Sequence, residues 1–135
     1  MRLSKTTEYA IRAMAYLARR PDDAVSVAYL AETLSIPYKY LARLMTQLSQ
    51  AGLLTSTQGK KGGYRIARPL EQIYIHQIVE VVEGLENYHR CVLGYPACDD
   101  QNHCCMHHLW EPQLHGVRDM IFNHTLADLQ KGTKF

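Results

Sequence analysis

No apolar run in the sequence approaches the roughly 18 residues that a membrane span needs. The opening stretch MRLSKTTEYAIRAMAYLA is interrupted by Arg2, Lys5, Glu8 and Arg12, so it lacks the apolar centre and cleavage pattern of a secretory leader. These two absences predict a cytoplasmic protein with no membrane partner. At 135 residues the chain is too short for two large enzymatic domains, and one small domain with an accessory element is the expectation. Cys-x-x-Cys knuckles of the kind found in structural zinc sites are also missing, although four cysteines are present.

What is present is unevenly divided. Residues 1–70 hold 11 Lys and Arg against 4 Asp and Glu, a balance of +7, whereas residues 71–135 hold 4 against 9, a balance of −5. The basic half is the one predicted to face a polyanion. Cys91, Cys98, Cys104 and Cys105 crowd into fifteen residues of the acidic half. Without a secretion signal, that clustering points to metal ligation or redox chemistry and away from a disulfide framework.

Residues 5–18 place Tyr9, Ala13, Tyr16 and Leu17 on one helical stripe, with Ile11 and Met14 on its flank and Arg12 and Arg19 opposite; Ser4 is the cap and Pro21-Asp22-Asp23 the stop. Ser26 precedes a short helix over 27–34 that turns Leu30 and Leu34 inward. After the Ser35-Ile36 turn, Pro37 suits the first position of a helix running to Gln50, whose inward pattern is Tyr40, Leu41, Leu44, Met45 and Leu48. Two helices joined by so short a turn form a helix-turn-helix candidate. LLTSTQ and YRIA then read as strands around the turn GKKGG, which completes the order of a winged helix.

A fourth helix is expected over 75–83, with Ile75, Ile78, Val79 and Val82 inward and Gly84 as its stop. Residues 88–105 lack periodicity and are expected to form an exposed loop that a ligand organises. From Met106 a last helix runs toward Asn123, with Trp110, Leu114, Val117 and Ile121 as a seam for a partner helix. Pro112 in its interior requires either a start near Glu111 or a bend, and Thr125 with Asp128 is a cap candidate for a short terminal turn. The predicted fold is therefore mainly α with a small β-hairpin, a winged helix-turn-helix plus a long C-terminal dimerisation helix. Its divisions are 1–84 for DNA binding, 85–105 for a cysteine-rich cluster-binding loop, and 106–135 for the dimerisation helix and tail.

On the reading helix, Ser35, Tyr38, Lys39 and Arg43 are the candidates to meet a major groove. Arg43 is the base reader, because its planar fork matches two guanine acceptors. Lys60, Lys61 and Arg65 of the wing would neutralise phosphate or reach the adjacent minor groove. A lone Arg or Lys is ordinarily a solvated residue; here a basic helix and a basic wing agree on one face. One such unit reads only a short half-site, so a homodimer on a nearly palindromic double-stranded operator is expected. In Cys91-x6-Cys98-x5-Cys104, with Cys105, His107 and His108 close behind, thiolates and imidazoles suit zinc, copper(I) or iron-sulfur centres, and a loop wrapped around a larger cluster fits the spacing best.

The N-terminal MRLSKTTEYAIRAMAYLA, the segment PYKYLARLMTQLSQAGLLTSTQGKKGGYRIARP and the Cys91, Cys98, Cys104 array followed by His107 and Leu109-Trp110 together resemble the IscR/NsrR-like family of bacterial winged-helix regulators. The resemblance covers nearly the whole chain. It implies a homodimeric regulator that senses redox, iron or nitric-oxide status through a 2Fe-2S or 4Fe-4S cluster. The three cysteine ligands of the family match Cys91, Cys98 and Cys104. Its fourth ligand is either a histidine matching His107 or an acid matching Glu8, the latter tying the sensor to the first helix. Cys105 and the long first spacing depart from the family pattern and would permit a ligand switch. The rival expectations are a cluster-free regulator of cysteine or sulfur metabolism and a zinc-binding regulator. An enzyme is not expected, since no substrate cavity is foreseen beside the cysteines.

Overall fold

The computed structural model describes residues 2–135. Three helices, α1 (Lys5–Leu17), α2 (Val27–Leu34) and α3 (Tyr38–Gln50), precede a hairpin of β1 (Leu54–Thr57) and β2 (Gly63–Ile66). Helices α4 (Ile75–Val82) and α5 (His107–Phe122) follow, with single 3-10 turns at Leu70–Gln72, Glu86–Tyr88 and Asp128–Lys131. The architecture is the expected winged helix-turn-helix, mainly α with one small hairpin.

Local chemistry sets the boundaries. Ser4 and Ser26 each accept, at 3.2 Å, a backbone N–H from three residues further on, which starts α1 and α2. Ser35 then takes the left-handed conformation at φ 54°, turning the chain sharply into α3. Pro37 stands just before the helix as its cap residue, one position earlier than expected.

The buried face of α3 is Leu41, Leu44, Met45 and Leu48, and it meets Ala10, Ala13, Met14 and Leu17 of α1, Leu30 and Leu34 of α2 and Ile78 of α4 in one core. Each large side chain withdrawn from water in this way contributes about 1.5–3 kcal/mol. Three details differ from the sequence expectation. Met14 is central while Tyr9 and Tyr16 sit at the edge, because the inward stripe of α1 follows Ala10, Ala13, Met14 and Leu17. Arg12 lies on the inner side and donates from Nη2 to the Leu34 carbonyl at 2.6 Å and from Nε to the Phe135 carbonyl at 3.3 Å. Tyr40 faces outward, since the i, i+3, i+4, i+7 repeat of α3 begins at Leu41.

Helix α5 packs on α4 through a second cluster in which Ile75, Val79, Tyr88 and Ile121 are buried and Val117 and Phe122 partly so. Leu114 and Ile121 are buried within the chain, so these two of the four residues of the expected partner seam serve the monomer's own core, while Trp110 and Val117 stay half-buried. A neighbouring edge of α5, Leu109, Pro112, Gly116 and Met120, is exposed. Pro112 lies inside the helix without ending it, at the loss of one hydrogen bond to the His108 carbonyl.

The chain then returns to the N-terminal domain. Ile75 N–H donates to the His124 carbonyl at 3.0 Å and Leu126 N–H to the Ile73 carbonyl at 2.9 Å, and Leu126 is fully buried in the first core. The expected Thr125 and Asp128 pairing is present, with Thr125 N–H donating to Asp128 Oδ2 at 2.9 Å. Among the described residues, no helix is long and apolar enough to cross a membrane.

Candidate nucleic-acid interface and metal centre

The outward side of α3 carries Tyr38, Lys39, Tyr40 and Arg43, all exposed, and Ser35 is exposed at the turn before it. Arg43 takes part in none of the ion pairs or side-chain hydrogen bonds found among the described residues, so its five donors are free for another molecule. Thr46 on the same side is occupied, its hydroxyl donating to the Ala42 carbonyl at 3.0 Å. Tyr40 was missed as a member of this face. The three-four spacing of leucines and Met45 was the signal that excluded it from the core.

The wing is built on a four-residue antiparallel register from Leu54↔Ile66 to Thr57↔Gly63. Lys60 and Lys61 are exposed in its turn and Arg65 on β2. Val25 and Tyr64 exchange backbone hydrogen bonds at 2.9 and 2.8 Å, which fixes the hairpin to the segment between α1 and α2. Gly63 makes that contact possible: its φ is +145°, and a Cβ there would lie 2.3 Å from the Val25 carbonyl oxygen.

In the segment between α4 and α5, Cys91, Cys98 and Cys104 converge, their sulfurs all within 4.8 Å of one another. The Cys91 and Cys104 sulfurs are 3.6 Å apart, and the Cys104 N–H donates to the Cys98 sulfur at 3.4 Å. His107 Nδ1 stands 3.6 Å from the Cys98 sulfur, and its Nε2 meets Asp100 Oδ1 at 3.0 Å. Asp100 is the one close partner of the centre that sequence reasoning passed over. Cys105 is exposed and outside the trio. Glu8 belongs to a separate ion cluster within its own chain, with Lys5 at 3.1 Å and Arg2 at 3.6 Å. The hydrogen bond and charge of Lys5, opposed by partial burial and aided by Arg2, hold its pKa below the usual carboxylate value.

Burial opposes ionisation of Cys91, but the backbone amides of Tyr95 and Leu93 and the neighbouring thiols outweigh it and bring its pKa down to about 7. At Cys98 the Cys104 amide favours the thiolate, yet burial and the two adjacent sulfurs prevail and push its pKa up. A negative charge on the trio near neutral pH is therefore held first at Cys91.

The loop carrying these thiols has its own scaffold, where the sequence suggested a loop that only a ligand would organise. Asp99 Oδ1 accepts the Gln101 and Asn102 amides at 2.9 and 2.8 Å, and those amides lower its pKa. Trp110 Nε1 donates to the Arg90 carbonyl at 3.2 Å, and Arg118 bonds the Tyr88 carbonyl at 3.2 Å while pairing with Glu111. Tyr88 in turn donates to Glu83 at 2.6 Å, joining the loop's root to the end of α4. Beside Cys98 and Cys104 lies an open depression of about 410 Å³ lined also by Tyr95, Asn102 and His103, where no cavity was foreseen.

Comparison with known proteins places these features in context. The sequence model of the Rrf2 family, described as an iron-dependent transcriptional regulator, matches residues 3–132. A protein of Aquifex aeolicus (strain VF5) described as an HTH-type transcriptional regulator is 34% identical over 131 residues, 96% of this chain and 91% of that one. CymR, the global cysteine regulator of B. subtilis, superposes with a TM-score of 0.78 at 25% identity, covering 96% of both chains. The structure of T. potens IscR is similar with a TM-score of 0.75 at 28% identity over 97% of this chain and 87% of the other.

Proposed function

The chain belongs to the Rrf2 family of helix-turn-helix transcriptional regulators, and from that premise we propose that it is a cytoplasmic, homodimeric DNA-binding regulator, not an enzyme, whose Cys91, Cys98 and Cys104 hold an iron-sulfur cluster. The convergence of three soft donors within 4.8 Å carries this reading: the sulfurs are partly buried, mutually close and include one thiol poised to ionise, which fits such a group. A cluster bound there supplies redox and nitric-oxide reactivity. His107, already beside Cys98, is assigned the fourth position, with Glu8 of a partner subunit as the alternative.

The chain's own residues divide the work. Residues 1–84 grip the duplex, 85–105 hold the three cysteine ligands, and 106–135 carry His107 and the contact between subunits through the exposed Leu109, Pro112, Gly116 and Met120 edge. The Glu83, Tyr88 and Arg118 hydrogen bonds connect the ligand loop to α4 and α5, so a change in the loop reaches the helices that set the separation of two reading heads.

The test uses protein purified without oxygen. Absorption and Mössbauer spectra should report bound iron and sulfide, and stripping the cluster should change affinity for a duplex selected from a random pool by about 5- to 150-fold. Anaerobic protein without metal, and indifferent to its addition, would overturn the sensor role. On the reading helix, Arg43→Ala should lower affinity for the selected duplex about 10- to 100-fold while barely changing that for a scrambled one. Equal losses on both would make Arg43 a phosphate contact. The second reading, a cluster-free regulator of cysteine metabolism, is favoured by the likeness to CymR; full DNA binding and ligand response without any metal would select it, and zinc in the oxygen-free protein would select a zinc regulator.

A further inference from the structure

Between the end of α1, the start of α2 and the wing runs an open groove of about 970 Å³. Helix α1 and its exit contribute Arg19 and Arg20, the wing Lys60, Lys61 and Arg65, and α2 its capped first turn with Ser26 and Tyr29. We propose that this groove is a track for the sugar-phosphate backbone of the duplex, with Arg19 and Arg20 as phosphate contacts that extend the footprint beyond α3 and the wing. The inference rests on the DNA-binding reading above and adds a strand path to it.

Four of the other arginines show what an engaged guanidinium looks like in this fold. Arg12, Arg68 and Arg118 donate to backbone carbonyls, and Arg2 pairs with Glu8. Arg19 and Arg20 enter no side-chain hydrogen bond or ion pair found among the described residues, even though Asp22 and Asp23 line the same groove. The Arg19 guanidinium lies 4.7 Å over the Phe135 ring, a stacking that steadies its plane without using its N–H donors.

Five cations against two carboxylates give the groove a surplus of three positive charges, and a concave wall focuses such a field. The Val25 and Tyr64 backbone pair holds the two cationic walls in fixed relation, so little ordering cost remains when a strand is bound. The groove shares Lys60, Lys61 and Arg65 with the wing, whose lysines the DNA-binding reading already sets against phosphate.

Full-length protein, titrated by fluorescence anisotropy between about 50 and 200 mM KCl, distinguishes the possibilities with two duplexes, one selected by the wild type and one scrambled. Arg19→Ala/Arg20→Ala should reduce the slope of log affinity against log salt by about 2 per protomer on both duplexes, leaving the ratio of the two affinities unchanged. Arg19→Lys/Arg20→Lys should recover most of the slope, since a point charge suffices for a phosphate. A wild-type slope in the alanine variant overturns the track. Failure of the regulator reading looks different: the wild type would bind both duplexes equally. ATP and inorganic phosphate, tested without DNA, cover the other source of this chemistry. Binding that the alanine variant loses, with an unchanged salt slope, would assign the groove to a small anion and overturn the proposal.

Discussion

Cys98→Ala is expected to abolish the visible absorption of protein prepared without oxygen, while the far-ultraviolet circular dichroism keeps its wild-type form. Cys98 is the hub of the cysteine site: its sulfur accepts the Cys104 amide at 3.4 Å and lies 3.6 Å from His107 Nδ1, and it completes the trio with Cys91 and Cys104. Removing it leaves two thiols, too few to hold an iron-sulfur cluster alone. Helix content should survive, because Cys98 is in an irregular loop and contributes to neither hydrophobic cluster. Cys105→Ala is the companion measurement, and the same spectrum should be retained there because Cys105 is exposed and apart from the trio. Full absorption in Cys98→Ala would remove it from the ligand set; its loss in Cys105→Ala would mean that the fourth cysteine takes part.

Gly63→Ala should be strongly damaging to the winged domain. The added carbon would lie 2.3 Å from the Val25 carbonyl oxygen, 2.4 Å from its carbon and 2.7 Å from the Ser26 nitrogen. All three are backbone atoms, so no side chain can swing away, and the φ of +145° adds strain of its own. The chain would have to give up the Val25 and Tyr64 hydrogen bonds and release the hairpin. A loss of about 3 kcal/mol is expected, read as a Tm lowered by ~10 °C, together with weakened duplex affinity. Gly59→Ala serves as the contrast: its φ of +102° is also unfavourable, but nothing lies within 4 Å of the added carbon, so its effect should be distinctly smaller. A Gly63→Ala protein that melts with the wild type would show that the wing does not depend on this close approach.

The sequence carried the winged helix because local rules and burial agreed there. Serine caps at Ser4 and Ser26, the leucine spacing of α3 and the glycine-rich turn all point the same way. It failed where one residue type serves two purposes. Tyr40 is apolar enough to be counted inward, yet the leucines and Met45 already fill that face. Arg12 has the charge of a surface residue, but its guanidinium satisfies the carbonyl that ends α2. A stripe of Trp110, Leu114, Val117 and Ile121 suits a partner helix and a monomer core equally, and only the packing of α5 on α4 puts Leu114 and Ile121 in the core. Cysteine spacing pointed to a thiolate site, whereas the Asp100 contact to His107 spans seven residues of irregular loop and has no periodic signature.

The backbone pairing of Val25 with Tyr64 has a mechanical consequence. With the hairpin anchored to the helices, each head behaves as one stiff jaw, and a signal has no internal joint there to bend. In a two-fold assembly the adjustable quantity is the gap between jaws. If the proposed dimer and switch hold, such a regulator would act as a caliper: its switched and unswitched forms would be told apart by the number of base pairs between half-sites, with the letters inside each half-site read the same way in both.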